Sequence, residues 1–317
     1  MNTSPTTPTA LVDGACEPIQ RDLRVMGGRA HIVVHGGTEA MADRAVTRLA
    51  ELEGLWSRFR GDSDLTRANL AAGTPTEVHE DTLAIVSRSL VAWRQTEGRF
   101  DITMLPALLD AGYTNSVVHG DVAPSLPGRR VGLSALVKVD YDTSTITVPA
   151  PGAIDLGGIG KGFAADIVAE ELIEHGATGA LVNLGGDLVA LGTPSDDGSW
   201  YLGIEDPRDP PHHVATLRLG SGAVATSGTT VRCWTTADGG TAHHLIDPAT
   251  GSPSARGIAT ATIVAADGAT AESFATAAMM LPAPEAVAML ERVGLAGLVI
   301  TTAGEVLRTT TLEGFSA

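Results

Sequence analysis

Apolar and polar residues alternate with a helical period in the first third of the chain. Between residues 38 and 59, apolar side chains recur three and four positions apart, which predicts an amphipathic helix. A second helix is predicted over 79–98, with a glycine just past its end as a stop signal. The polar segment 60–69 between these helices is predicted to be a turn. The residues of the second helix expected to face the core are Leu83, Ile85, Val86, Leu90 and Val91.

A strand-like pattern dominates the middle of the chain. Short runs of β-branched and alternating residues predict strands at about 24–36, 138–142, 144–149, 180–186, 187–192, 201–206, 214–220, 222–228 and 260–266. Further helices are predicted at 162–176, 271–281 and 283–293, a closing hairpin at 297–309, and a flexible Pro- and Gly-rich insertion at 119–130. Because many strands follow one another through short turns, the predicted fold class is α+β with antiparallel sheet, rather than a doubly wound parallel sheet.

The N-terminal residues differ in composition from the rest of the chain. Residues 1–24 are rich in Thr, Pro and polar side chains and predict a flexible N-terminal arm, followed by a single domain over 25–317. The start of the chain has neither the basic residues nor the apolar run of an export signal, and no long apolar stretch follows. We therefore expect a cytoplasmic protein without membrane insertion.

The charge balance limits the possible partners. The chain has 37 acidic and 21 basic residues, for a formal net charge of −16. This argues against nucleic acid or an anionic bilayer as a partner, because both are bound by clustered Lys and Arg. An anionic small molecule can still bind where a local cation or a metal ion offsets the overall charge. The two cysteines lie far apart in the sequence, so they cannot form a zinc-binding cysteine cluster.

The segment 154–166, IDLGGIGKGFAAD, carries four glycines immediately before a predicted helix. Bare backbone amides and the positive end of a helix together favour a bound phosphate. The segment is not a P-loop, because Gly162 stands where Ser or Thr is required, and it is not GxGxxG, because Phe163 replaces the last glycine. Lys161 either pairs with a phosphate or is a solvated lysine beside a tight turn, and the spacing does not decide between them.

Two further segments carry candidate chemistry. Within 243–251, HHLIDPATG, the imidazole of His244 and the carboxylate of Asp247 suit a general base with an orienting partner, although a surface histidine pair before a turn has the same pattern. Within 270–280, Glu272 and Thr276 are four residues apart on a predicted helix and so share one face. A carboxylate and a hydroxyl suit a hard cation such as Mg²⁺, but helix-dipole and packing roles explain them equally well.

Taken in order, nine segments of the chain resemble the ApbE family, Mg²⁺-dependent flavin transferases that move FMN from FAD onto a threonine of an acceptor protein. These segments are 26–28, 56–69, 100–106, 154–162, 181–187, 200–207, TSG at 226–228 with Arg232, 243–251 and 271–277. The resemblance implies an ApbE-like (T-fold-like) domain with largely antiparallel sheets flanked by helices.

The resemblance also implies site residues. The FAD site would be lined by Met26, Phe59, Ala111, Gly112, Tyr113, Asp155, Lys161 and Ile246. Mg²⁺ would be held by the carbonyl of Gly160 with the side chains of Glu272 and Thr276. His244 would assist deprotonation of the acceptor threonine, with Asp247 as its orienter.

The implied partners are FAD, as substrate, and an acceptor protein with a target threonine. The implied reaction is displacement at the FMN-side phosphorus of FAD, with AMP leaving. Two alternatives stay open: an FAD-binding or storage protein with weak or no transferase activity, and a Mg²⁺-dependent hydrolase that gives FMN and AMP. Glu272 stands where the family usually has Asp.

Overall fold

The computed structural model describes residues 17–115, 131–194, 198–209, 212–230, 232–236 and 239–317. The α-helices among these residues are α1 (Glu39–Trp56), α2 (Asp64–Leu70), α3 (Glu80–Gln95), α4 (Leu105–Asp110), α5 (Gly160–Glu174), α6 (Gly268–Ala278) and α7 (Ala283–Arg292). The strands are β1 (Ile19–Val25), β2 (Gly28–His35), β3 (Thr76–Glu77), β4 (Lys138–Asp140), β5 (Thr145–Thr147), β6 (Gly179–Leu184), β7 (Asp187–Gly192), β8 (Trp200–Glu205), β9 (His213–Leu219), β10 (Gly222–Gly228), β11 (Cys233–Thr235), β12 (Thr241–His243), β13 (Ile246–Asp247), β14 (Ser252–Pro253), β15 (Ile258–Ala265), β16 (Ala296–Thr301) and β17 (Val306–Arg308).

One large sheet organises the described part of the chain. Its eight strands lie in the order β1-β2-β6-β7-β10-β15-β16-β17, and every neighbouring pair is antiparallel. Helices α5 and α6 pack against its central strands, and α7 packs against β16. The predicted α+β class with antiparallel sheet is therefore confirmed. No helix of the described residues is both long enough and apolar enough to cross a bilayer.

The two faces of this sheet bury different side chains because successive strand residues point to opposite sides. In β10, Ala223 and Ala225 join the core beneath the helices, whereas Val224 lies in a second core on the other face. That second core is closed by the β8–β9 hairpin and by Leu312 near the end of the chain. The helical side of the sheet is where the candidate site forms.

The predicted N-terminal arm is wrong over its last residues. Strand β1 pairs with β2 from Ile19 opposite Val34 to Val25 opposite Gly28, so this part of the arm is an edge strand of the large sheet. Apolar and polar residues alternate only weakly over 19–25, and the strand is held by backbone pairing with β2. Residues 1–16 of the arm and the predicted insertion 119–130 lie outside the described residues. The single domain over 25–317 stays a prediction.

The predicted turn at 60–69 is also wrong, because α2 begins within it. Ser63 caps this helix: its Oγ accepts a hydrogen bond from the Thr66 backbone N–H at 3.0 Å. Asp64 is buried and accepts hydrogen bonds from the His79 N–H at 2.7 Å and the Thr82 hydroxyl at 2.8 Å. These polar residues therefore have internal partners rather than solvent. In α3, Val91 is 39% exposed and does not face the core as predicted.

Candidate active site

Two adjoining cavities lie between the helical side of the sheet and the end of α1. The first, of about 330 Å³, is bordered by β7, β10 and α6, and the second, of about 430 Å³, by the end of α1 and the loop before α5. They share the lining residues Gly27, Tyr113, Asp155, Gly157, Lys161 and Arg232.

Most of the residues predicted from the sequence line these cavities. The first cavity contains Tyr113, Asp155, Lys161, His244, Ile246, Glu272 and Thr276. The second contains Met26, Phe59, Tyr113, Asp155, Gly160 and Lys161. Ala111, Gly112 and Asp247 line neither cavity.

The starts of α5 and α6 meet at the floor of the site through two glycines. A Cβ on Gly162 would lie 2.1 Å from the carbonyl oxygen of Gly268, so no side chain fits there. Asp166, one turn further along α5, accepts hydrogen bonds from the backbone N–H groups of Gly268 and Ala269 at 2.6 and 3.0 Å. Gly162, one of the four glycines of the segment 154–166, thus allows α5 and α6 to pack closely. Because α5 begins at Gly160, Lys161 lies in its first turn.

Lys161 lies between two buried carboxylates. Its ammonium donates hydrogen bonds to Asp187 and Glu272, and all three side chains are at least 85% buried. Glu272 also accepts from the Gly162 N–H at 2.8 Å, and Asp187 accepts from the Thr226 N–H at 3.1 Å. The reading of Lys161 as a solvated lysine is therefore wrong. Sequence reasoning did not single out Asp187, although it lies in the family-like segment 181–187.

Burial and charge act in opposite directions within this cluster. Burial alone would lower the pKa of Lys161, but the charges of Asp187 and Glu272 raise it above its ordinary value. Burial raises the pKa of Glu272, while the ammonium of Lys161 and the Gly162 N–H oppose that rise. One ammonium between two carboxylates leaves a net charge of about −1 when all three groups are ionised.

His244 is held by the main chain of Arg232. The carbonyl oxygen of Arg232 lies 3.2 Å from the His244 backbone nitrogen and 3.3 Å from its ring Nδ1. Burial, with the nearby charge of Arg232, lowers the pKa of His244 to about 3. The imidazole is therefore neutral at pH 7. We assign the tautomer from this contact: Nδ1–H donates to the carbonyl, which leaves Nε2 free to accept a proton.

The structure contradicts the predicted orienting role of Asp247. Its carboxylate accepts hydrogen bonds from Arg256 at 2.6 and 3.1 Å and from the Ala249 backbone N–H at 2.9 Å, not from His244. The side chain folds back onto its own turn, as Asp often does, and the β13–β14 pairing brings Arg256 beside it.

An aromatic wall borders both cavities. Tyr113 stacks on Trp234 with ring centroids 5.3 Å apart and meets Phe59 edge-on at 6.4 Å. The guanidinium carbon of Arg58 lies 4.2 and 4.7 Å from the ring centroids of Phe59 and Tyr113, and Arg58 pairs with Asp155 at 3.2 Å. Flat aromatic faces suit a planar ring system. Sequence reasoning missed Arg58 and Trp234 as parts of this wall, although both lie in family-like segments or beside them.

Ala111 and Gly112 lie behind this wall. The indole N–H of Trp234 donates to the carbonyl of Ala111 at 2.8 Å, and a Cβ on Gly112 would lie 3.2 Å from the same nitrogen. Gly112 also has a φ of +99°, which a side chain disfavours. These two residues therefore support the aromatic wall from outside the cavities.

The predicted metal residues come together around the start of α5. Glu272 accepts a hydrogen bond from the Gly162 N–H at 2.8 Å, and the Thr276 hydroxyl lies 3.1 Å from where a Cβ of Gly158 would be, so each contacts a residue two positions from Gly160. The described residues hold no cluster of three or more His, Cys, Asp or Glu side chains suited to a metal. A carboxylate, a hydroxyl and a carbonyl nevertheless form an all-oxygen donor set with negative charge, which fits Mg²⁺.

Comparison with known proteins agrees with this architecture. The ApbE family model matches residues 26–299. The FAD:protein FMN transferase of Klebsiella pneumoniae is 30% identical over 96% of this chain and 88% of its own length. That of Treponema pallidum is 31% identical, covering 84% of this chain and 77% of its own. The crystal structure of the ApbE protein of Thermotoga maritima superposes with a TM-score of 0.84 at 26% identity, over 95% of this chain and all of that one.

The fold and the cavities thus define an α+β protein with an oxygen-rich site beside an aromatic wall. The chain belongs to the ApbE family.

Proposed function

We propose that this protein transfers FMN from FAD to a threonine hydroxyl of an acceptor protein, with Mg²⁺ bound and AMP released. The observation that carries the proposal is that a neutral, partly buried His244 lines the same cavity as Glu272 and Thr276. The names of the relatives, FAD:protein FMN transferase, support it.

Two adjoining cavities of about 330 and 430 Å³ suit a ligand with two ring systems joined by a diphosphate. Phe59 and Tyr113 both line the second cavity and would lie beside one ring system. Met26 and Asp155 line the same region, and Ile246 lies at the apolar edge of the first cavity. This arrangement supports FAD as the substrate.

His244 acts as the general base in this proposal. Its Nε2 takes the proton of the threonine hydroxyl as the threonine oxygen forms a bond to the FMN-side phosphorus of FAD. The bond from that phosphorus to the bridging oxygen breaks, and AMP leaves with the electron pair. A hydroxyl is a weak nucleophile at neutral pH, so a base that is already unprotonated speeds this step.

Gly160, Glu272 and Thr276 would hold Mg²⁺ beside the diphosphate. Bound there, the ion would neutralise charge on the phosphate oxygens. The ammonium of Lys161 donates a hydrogen bond to Glu272 and so helps to fix the position of that carboxylate. Its own contact with FAD, which the family resemblance implies, remains part of the proposal.

AMP release from FAD tests the proposal. The protein is incubated with FAD and Mg²⁺, with and without threonine-bearing acceptor domains, and AMP is separated by chromatography. We expect AMP release to rise with acceptor concentration and to stop when Mg²⁺ is chelated. Equal AMP release without acceptor would identify a hydrolase instead, and FAD that stays intact under all conditions would identify a binding protein.

A further inference from the structure

Any cavity that holds a diphosphate in this acidic protein needs a local positive charge. Lys161 cannot supply it alone, because its ammonium already pairs with Asp187 and Glu272. Arg58, the next cation of the cavity lining, pairs with Asp155 at 3.2 Å and is stacked against two aromatic rings. The positive charge of each is therefore already balanced within the protein.

Arg232 differs from both. Of the other arginines in the lining, Arg60 pairs with Asp62 and Arg99 with Glu97. Arg29 has no ion pair among the described residues but lines only the first cavity. Arg232 lines both cavities where they adjoin, and no ion pair involves it among the residues that the structure describes. Its Nη2 lies 3.4 Å from where a Cβ of Gly27 would be, so the guanidinium rests against a glycine that also lines both cavities. A guanidinium beside an open cavity, without a carboxylate partner, favours binding of an anion.

The charge of Arg232 acts on a titratable group at the centre of the site. It contributes to lowering the pKa of His244, which also lines the first cavity. An anion placed between Arg232 and His244 would lie within reach of the same positive field.

We infer that Arg232, rather than Lys161, is the side chain that binds the diphosphate of the dinucleotide substrate. The inference rests on the proposed function. A guanidinium presents parallel N–H donors that match two phosphate oxygens, which a single ammonium does not.

The same residue also holds the base. The carbonyl of Arg232 accepts from both the backbone N–H and the ring of His244, at 3.2 and 3.3 Å. One residue thus binds the phosphate with its side chain and positions the imidazole with its main chain. This arrangement sets the distance between the attacked phosphorus and the proton acceptor, and it leaves the main-chain contact intact when the side chain is replaced.

The test compares Arg232→Met and Arg232→Lys with Arg44→Met, a matched control that removes an exposed arginine of α1 outside both cavities. Dissociation constants for FAD are measured by flavin fluorescence, without divalent cation, at low and high salt, and thermal unfolding is recorded for each variant. We expect Arg232→Met to weaken FAD binding by about tenfold or more at low salt and to flatten its salt dependence. Arg232→Lys should recover part of the affinity, and Arg44→Met should match the wild type.

Wild-type affinity and salt dependence in a folded Arg232→Met protein would overturn the inference and leave the transferase proposal standing. A wild-type protein that binds no FAD even after Mg²⁺ is added would instead reject the proposed function itself. A fall in affinity that is the same at both salt concentrations would also overturn the inference, because it would mean that the lost contact is not ionic.

Discussion

Asp166 accepts a hydrogen bond from the backbone N–H of Gly268 at 2.6 Å and so joins the second turn of α5 to the start of α6. Its second oxygen accepts from the Ala269 N–H at 3.0 Å. These helices carry Lys161 and Glu272, so the geometry of the candidate metal site depends on this contact. Burial raises the pKa of Asp166 to about 7, although both N–H groups and their dipole favour the carboxylate.

Because the pKa of Asp166 is raised in the folded protein, we expect this residue to lower the free energy of unfolding as the pH increases. The folded protein keeps this proton up to about pH 7, whereas the unfolded chain loses it near pH 4, so the free energy of unfolding falls across that window. Asp166→Asn removes this contribution, and urea unfolding between about pH 4 and pH 7 measures it.

The change in the free energy of unfolding with pH must be compared between the wild type and Asp166→Asn, because other groups titrate in the same pH range. His244 acts in the opposite direction: its lowered pKa makes stability rise with pH between about 3 and 6.5. This effect is present in both proteins and cancels in the difference. We expect the asparagine variant to lose less stability than the wild type on going from pH 4 to pH 7. Parallel pH profiles would contradict the assignment.

A second prediction concerns the close approach of Gly162 and Gly268. Gly162→Ala puts a Cβ 2.1 Å from a backbone oxygen, so α5 and α6 must separate, and we expect a loss of about 1–3 kcal/mol in the free energy of unfolding together with weaker Mg²⁺ binding. Gly54→Ala is the matched control: it lies in α1 with no atom within 4 Å of the new Cβ. This control should be neutral or stabilising by up to about 1 kcal/mol. Equal stability of the two variants would show that the helix contact is not tight.

Removal of the Lys161 ammonium should destabilise the fold. Lys161→Met leaves Asp187 and Glu272 buried without their cation, and loss of one partner from a buried ion pair costs about 3–5 kcal/mol. Adding Glu272→Gln to that variant removes one of the two stranded charges, so the double variant should be more stable than Lys161→Met alone. Urea unfolding at neutral pH measures both. A single variant as stable as the wild type would mean that the cluster does not hold the helices together.

The neutral state of His244 predicts the acid side of the pH–rate profile. Because its pKa is lowered to about 3, the imidazole is unprotonated at pH 5, and the rate of transfer should not halve near pH 6.5 as it would with an ordinary histidine base. His244→Gln should lower kcat by about a hundredfold or more while FAD binding persists. Steady-state rates across pH, with FAD affinity measured in parallel, check both expectations. A midpoint near 6.5 would contradict the assignment of His244 as a partly buried, neutral base.

The sequence predicts most of the fold because long periodic segments carry their own signal. Helix α1 and helix α3 follow from apolar spacing, and the antiparallel sheet follows from strands joined by short turns. Helix α2 is not predicted because its seven residues are too few to show a period. Its N-cap, Ser63, lies in a polar segment that equally suits a turn. The edge strand β1 is not predicted because its own residues alternate only weakly between apolar and polar. Its extended conformation depends on pairing with β2.

The candidate site was predicted in its residue types and only partly in its contacts. Lys161 is 26 residues from Asp187 and 111 from Glu272, so no local pattern reveals that the three side chains meet. Asp247 lies three residues from His244, yet its carboxylate turns to Arg256, because a short strand pair brings that arginine close. Arg232 stands in a recognised segment, but the sequence does not reveal that no ion pair involves it among the described residues, because the partners of the neighbouring charges must first be known.

The most direct measurement is the intact mass of an acceptor. A threonine-bearing acceptor domain is incubated with the protein, FAD and Mg²⁺, and a matched acceptor with valine in place of that threonine serves as the control. We expect that only the threonine form gains the mass of one phosphodiester-linked FMN, and that one AMP appears for each FMN gained. An unmodified acceptor beside FAD that has been fully converted to free FMN and AMP would contradict it.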